Sequence, residues 1–424
     1  MQAAVTAQAT MEKLDPQHFM TGEFLYKDVK AYAAMGEHRT AAEPDRKTSH
    51  WLRQQLEGFG FNARLEPFSV RQFFLERAEL TLDGGKRAAC FPLWPPLATG
   101  PKPVTARVVS SGPGFDADVR GAIALVRLPA GGALTAESGH APILLKLIEA
   151  GVAGIIGVTP SITGEPIALN SNFTNEPWRV PILLIGEAEE NAVRASRQAS
   201  MLVEGRYNPQ AEAFEVIGTL EAATSAQSAK HFVISTPSSG WFRCAGERGP
   251  GIALWLALAR WSSHREFPAN AGARFTFVAS SGHELHEQGM RFFLDRFAPK
   301  PAEVTAWLHL GAGAAAYDWQ REGDQLRRLG RGYPNRFLVT NRREWGNVLT
   351  RTFVSVRDLR FDITDTPPGE LAQLAARGYR AFGVVGSHPF HHAPGDIIDR
   401  TTSPELLEPI GQALMRALVA IETL

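Results

Sequence analysis

The segment RFTFVASSGHELHEQG, Arg274 to Gly289, sets the expectation for the fold. Its first half is a continuous apolar run of the kind that forms a strand buried on both faces. It then stops abruptly in hydroxyls, a glycine, His283, Glu284, His286 and Glu287. Three other runs share this layout: HFVIST leads into STPSSGWFRCAGERGPG, VTAWLHL into HLGAG, and RAFGVVG into SHPFHHAPGD. Helical stretches around GIALWLALARW and LLEPIGQALMRALVAIETL lie between or after them. Strands alternating with helices predict an α/β fold built on a doubly wound, mostly parallel sheet. Ligands gather at the carboxyl ends of such strands, because the following loops and helix starts converge there. The four polar clusters are therefore the candidate site.

Toward the amino terminus, DRKTSHWLRQQLEGFGF places Trp51, Leu52, Leu56 and Phe59 on one helical face, and a strand from Asn62 to Phe68 follows. Between Gln72 and Tyr207, short apolar strands (AIALVRL, GIIGVT, PILLIG) alternate with helices such as APILLKLIEAG. This predicts a second, smaller α/β unit with its own core. A chain of 424 residues accommodates both. The expected division is 1–71 as lead-in with the first helix and strand, 72–214 as an insert, and 215–424 as the principal unit.

Lysine plus arginine equals aspartate plus glutamate, 44 against 44, so no net field draws the chain to nucleic acid or an anionic membrane. Cys90 and Cys244 are too few and too far apart for a disulfide framework. No apolar run approaches the roughly 18 residues of a membrane span, and the amino terminus lacks a basic start followed by an apolar stretch. A soluble, cytoplasmic protein acting on a small-molecule or short peptide-like substrate is the expectation. Homo-oligomerisation is left open.

These motifs resemble the co-catalytic zinc aminopeptidases, a family that also contains the glutaminyl cyclases and the transferrin receptor ectodomain, in the form carrying a protease-associated insert. GEHRTAAEPDRKTSHWLRQQLEGFGFNARLEPF is similar to the family's leading helix and strand, the middle third to the protease-associated insert, and FEVIGTLEA to the strand opening the catalytic half. HHAPGDIIDRTTSPELLEPIGQAL is similar to its His-x-Pro-x-Asp turn and closing helix. The resemblance implies a zinc-exopeptidase sheet and a two-metal site, from which this chain departs. Thr236 and Ser238 stand where a ligand histidine and its aspartate partner are expected, Glu247 where the bridging aspartate is, and His283 where the general-base glutamate is. Glu284 keeps the ligand glutamate, His309-Leu310-Gly311 replaces an Asn-x-Asp ligand, and His392 matches the late histidine.

The resemblance thus implies one empty metal position, vacated at Thr236 and Gly311, and one held by Glu247, Glu284 and His392 with a single zinc ion. His283 can deprotonate a metal-bound water, protonate a leaving group, or coordinate the metal. His309 shares the face vacated at Gly311 and can join it. Thr236, Ser238, Cys244 and His391 are further candidates for substrate contact or replacement ligation. Each acidic residue also has a plainer reading: Glu284 as a helix-start carboxylate, Glu247 as a loop carboxylate paired with Arg248. Cys244 reads as a small buried thiol sooner than a nucleophile.

The function expected is a single-zinc hydrolase of an amide or peptide-type bond in a small or blocked substrate, not a general aminopeptidase. Two alternatives stand beside it. One is a binding protein with a degenerate, metal-free site; the other is a metal-free hydrolase or lyase using His283 and His309.

Overall fold

The computed structural model describes residues 16–111, 118–129, 139–170, 176–223, 229–264 and 268–422. The first 15 residues, on which part of the localisation argument rests, lie outside them. Among the described residues, fourteen strands form one sheet. Its principal half runs, from the edge inward, Arg360–Ile363, Arg336–Thr340, Ala381–Gly386, Ala306–Leu310, Lys230–Pro237 and Ala273–Ser280. The last four of these are mutually parallel.

Their apolar runs alternate between two cores, as the period of two demands. Phe232, Ile234, Phe275, Phe277 and Leu308 face a core shared with helices Gly22–Ala33, Gly249–Ser263 and Pro404–Glu422. Val233, Val278 and Trp307 face the opposite core, shared with Gln288–Arg296 and Glu370–Ala376. Helices thus cover both faces, which is why these strands read as unbroken apolar runs. Each fully buried leucine or phenylalanine contributes roughly 1.5–3 kcal/mol. Glycines are required where these layers touch near the site. A Cβ at Gly251 would lie 2.8 Å from Thr236 Oγ1, so the long central helix can start against the strand end only without a side chain there.

The early strand is longer than expected. It spans Asn62–Leu82 and pairs antiparallel with Gln198–Leu220 along almost its whole length. Two register slips, at Val70/Gln72 and Leu75/Arg77, interrupt the inward–outward alternation while the pairing runs on past Phe68. Positions 72 and 214 fall inside these two ribbons. The strands Val104–Ser110, Ile123–Arg127, Gly154–Thr159, Ile182–Gly186 and Cys90–Pro92 extend the same sheet beyond Gln198–Leu220.

This intervening unit has a core of its own, in which every member from Leu93 to Leu184 belongs to it. A second core joins it to the principal half through Phe91 and Trp94, which pack against Trp241 and Phe242. It therefore presses on the loop that follows Lys230–Pro237. Among the described residues, no helix is long and apolar enough to cross a membrane.

Candidate functional site

The parallel strands release their loops at one end, and the chain parts there. From Lys230–Pro237 it passes to Ala273–Ser280 on one side; from Ala306–Leu310 it passes toward Ala381–Gly386 on the other. Crevices of this kind hold ligands. Strain collects at the same end. Of the six non-glycine residues with positive φ among the described residues, Cys244, His286, Glu287 and His392 lie in these loops. Such conformations cost of order 1–3 kcal/mol each and persist where surrounding contacts enforce them.

Those contacts can be named. Asp396, in the turn after His392, accepts hydrogen bonds from the backbone N–H of Gly246 at 2.7 Å and of Glu247 at 3.0 Å. The late turn thereby places the Glu247 carboxylate. Ser239 does the same for the other loop: its Oγ donates to Glu284 Oε2 at 2.7 Å and accepts from the N–H of Gly282 and His283. The intervening unit also contributes, which sequence reading did not anticipate. The Ala168 carbonyl accepts the Nδ1–H of His392 at 3.0 Å, and the Ala168 N–H donates to the His392 carbonyl. This fixes the tautomer that presents His392 Nε2 to the site.

Glu247, Glu284 and His392 are all buried, at 1–2% exposure, and all lie in the crevice. They do not surround an open gap. The guanidinium of Arg248, itself 1% exposed, lies between the two carboxylates. Its Nη2 is 2.7 Å from Glu284 Oε1 and 3.0 Å from Glu247 Oε1, and its Nε donates to the Ser239 carbonyl at 2.8 Å. The plainer reading of Glu247, a carboxylate paired with Arg248, describes this contact. Burial raises the Glu247 carboxyl pKa, but Arg248, His392 and His391 outweigh it and hold the group well below the usual carboxylate range.

A zinc-type ion, as the resemblance implies, can be tested against these atoms. The set Glu247, Glu284 and His392 does not fit it, because the guanidinium takes the space between the carboxylates. The outer edge does fit. Glu247, His391 and His392 each bring a ligand atom within 4.8 Å of one another. Glu247 Oε1 is 3.3 Å from His392 Nε2 and 4.0 Å from His391 Nε2. Two ligands at about 2.0–2.1 Å from a tetrahedral zinc are themselves about 3.3 Å apart. Glu247 Oε1 is buried and held only by ion-pair contacts, to Arg248 and to the two histidines, and His391 Nδ1 is buried without a hydrogen-bond partner. Burial drives the His391 pKa well below its ordinary value despite Glu247, leaving the neutral imidazole that metals require. His391 and His392 stack with ring centroids 4.4 Å apart and 16° between their planes, so one ring must turn for both nitrogens to meet on one ion.

His283 stands apart from this cluster. Its Nδ1–H donates to Glu370 Oε1 at 2.8 Å, and its side chain is 20% exposed where Glu370 is fully buried. Burial and Arg248 push the His283 pKa down, but the bond to Glu370 and the charges of Glu370 and Glu284 prevail and raise it. Glu370 moves the opposite way: burial raises it, and His283 with His309 and Arg248 pulls it below the usual range.

His309 joins this pair, not Glu247. Its Nδ1 is 3.0 Å from Ser235 Oγ, and its Nε2 is 3.8 Å from Glu370 Oε2. Trp307 Nε1 donates to the same Ser235 Oγ, so the serine proton is free to go to His309. Burial lowers the His309 pKa to about 4, leaving it neutral.

The other candidates have structural uses. Thr236 Oγ1 donates to the Leu310 carbonyl at 2.8 Å and ties two strand ends together. A Cβ at Gly311 would meet Val385 Cγ1 at 2.7 Å, so the face it vacates is filled by packing. Ser238 Oγ is buried without a partner. Cys244 is buried, and burial followed by Glu247 and Asp396 pushes its thiol well above the ordinary value, which leaves it inert. Glu370 was missed from sequence, whereas Arg248 was read there as the partner of Glu247 and Asp396 only as the last residue of the late turn.

No family model matches the chain, and no curated protein does. Solved structures do. The zinc aminopeptidase BSAP from Bacillus subtilis superposes with a TM-score of 0.72 at 15% identity, over 95% of both chains. The peptidase M28 precursor from Shewanella amazonensis gives 0.75 at 13% identity, over 96% of this chain and 95% of that one. An aminopeptidase from Aneurinibacillus sp. strain AM-1 gives 0.62 at 16% identity, over 95% and 94%. At these identities the likeness is one of fold. The chain has the α/β fold of zinc aminopeptidases, with a large, mostly parallel sheet.

Proposed function

We propose that the chain is a hydrolase acting on the amide or peptide-type bond of a small or blocked substrate, with His283 as the group that moves the proton. One observation carries this reading: His283 is held through Nδ1 by the buried Glu370 carboxylate while its side chain keeps 20% exposure. With Nδ1–H committed to Glu370, Nε2 is the nitrogen that takes a proton from water or gives one to a leaving amine. A carboxylate that orients an imidazole and stabilises its protonated form is the arrangement used wherever histidine serves as acid and base. His309, neutral and beside Glu370, adds no competing charge.

Glu247, His391 and His392 would hold a single zinc-type ion, which when bound supplies Lewis-acid polarisation of a carbonyl. The chain's own part is then to position the bond to be cut near His283, with the intervening unit holding His392 through Ala168. With Arg248 between Glu247 and Glu284, the reading includes no second ion to engage a free amino terminus. A general aminopeptidase is therefore not expected.

A second reading, a binding protein without turnover, draws on the burial of Glu247, Arg248 and Glu284. A panel of amino-blocked and free amino-acid amides, assayed with the native chain and with His283→Asn, separates the two. Turnover of blocked amides, lost in His283→Asn, supports the hydrolase. Turnover of free amino-acid anilides at ordinary aminopeptidase rates would sink the substrate assignment, and saturable binding without any turnover would establish the second reading.

A further inference from the structure

We propose that Arg248 is a tethered cation occupying a divalent-ion position, so that the Glu247–Glu284 pair is closed to metal in the native chain and opens to it when the guanidinium is removed. One nitrogen, Nη2, bridges an oxygen of each carboxylate at 2.7 and 3.0 Å, which is the task a shared metal ion performs between two glutamates. Around that nitrogen everything is held from outside. Ser239 binds the second oxygen of Glu284, Asp396 holds the backbone of Glu247, and Ala168 aims His392 Nε2 at Glu247 Oε1 from 3.3 Å. Two carboxylates and one imidazole thus remain prearranged with a covalently attached charge at their centre.

Arg248 is also incompletely used as a hydrogen-bonding residue. Its Nη1 is buried without a partner. A guanidinium selected for its hydrogen bonds would commit that nitrogen, since an unpartnered buried donor is costly; a guanidinium serving as a charge need not. Exchanging it for an ion asks little of the surroundings. Shortening each contact to the about 2.0–2.2 Å of a zinc–carboxylate bond moves each glutamate oxygen by less than about 1 Å.

The inference rests on this geometry and not on turnover. It is tested with zinc alone, titrated against a competing chelator, on the untagged native chain and on Arg248→Ala, Glu284→Ala, the double variant and Arg248→Lys. Arg248→Ala is expected to bind zinc at least tenfold more tightly than the native chain, and the gain should vanish in the double variant. Glu284→Ala alone should leave native zinc affinity unchanged within about twofold, and Arg248→Lys, which keeps a cation in place, should gain nothing. Thermal unfolding provides the second readout: Arg248→Ala should melt below the native chain in chelator and recover in zinc. Equal affinity in Arg248→Ala and the native chain overturns the proposal, as does a gain that survives loss of Glu284. An Arg248→Ala chain that stays unfolded in zinc while Arg248→Lys folds overturns it too. A native chain that binds no zinc at all would remove the outer-edge ion from the proposed function and leave this inference standing on the Arg248→Ala gain.

Discussion

Replacing Glu370 by glutamine keeps the shape of the side chain and removes the charge that faces His283 at 2.8 Å. A hydrogen bond to a charged group contributes roughly 1.5–3 kcal/mol net. At about 1.4 kcal/mol per pH unit, losing it should lower the His283 pKa by about 1–2 units. The imidazole C–H resonance of His283, followed by NMR across pH 4–9 and assigned with His283→Asn, reads this directly and without substrate. Stability should follow the same pair. Glu370 is depressed below its ordinary 4.5, so its contribution is present above that value and is lost as pH falls through the lower folded pKa. His283 is raised above its ordinary 6.5, so its contribution is full below that value and is lost as pH rises through the higher folded pKa. The stability gap between native and Glu370→Gln chains should therefore be widest near pH 5–6 and narrow on both sides. A His283 midpoint that stays put or rises in Glu370→Gln, or a gap independent of pH, would refute the pairing.

Two further outcomes follow from the buried groups around the site. Burial, with Glu284 adding to it against hydrogen bonds from Ser281 and Ala41, raises the Asp45 pKa from 3.8 to about 7. Between those values the folded chain holds a proton that the unfolded chain has released, so stability falls as pH rises. Asp45→Asn removes that slope and should stabilise the protein at pH 8 by at most about 4 kcal/mol relative to its effect at pH 4, measured by urea unfolding; an equal effect at both pH values would contradict this. Burial likewise raises Cys90 to about 12 and Cys244 well above its ordinary value. Neither thiol should react with a disulfide reagent at pH 8 until the chain is unfolded, and fast native labelling of Cys244 would be the contrary result.

What could be read from sequence, and what could not, follows from range. The runs at Lys230–Pro237, Ala273–Ser280, Ala306–Leu310 and Ala381–Gly386 are local patterns, and burial on both faces leaves a local signature. The topology then brings their ends together, so Glu247, Glu284 and His392 share one crevice although no local pattern says how far apart their oxygens and nitrogens lie. Arg248 changes the meaning of that crevice through its rotamer, and rotamers are decided by tertiary packing. Glu370 lies 87 residues from His283 and reads as nothing more than a helix start in PPGEL. Ala168 acts through its backbone, so its side chain carries no trace of the contact with His392. The strand expected to end at Phe68 continues to Leu82 through its pairing with Gln198–Leu220, and register slips along it break the strict alternation a sequence pattern depends on.

Zinc-edge anomalous diffraction from crystals of the native chain equilibrated with zinc tests the arrangement most directly. The account predicts one peak, beside Glu247 Oε1 and the Nε2 atoms of His391 and His392, with unbroken guanidinium density between Glu247 and Glu284. A peak between those two carboxylates with Arg248 swung aside, or no peak at the histidine edge, would contradict it.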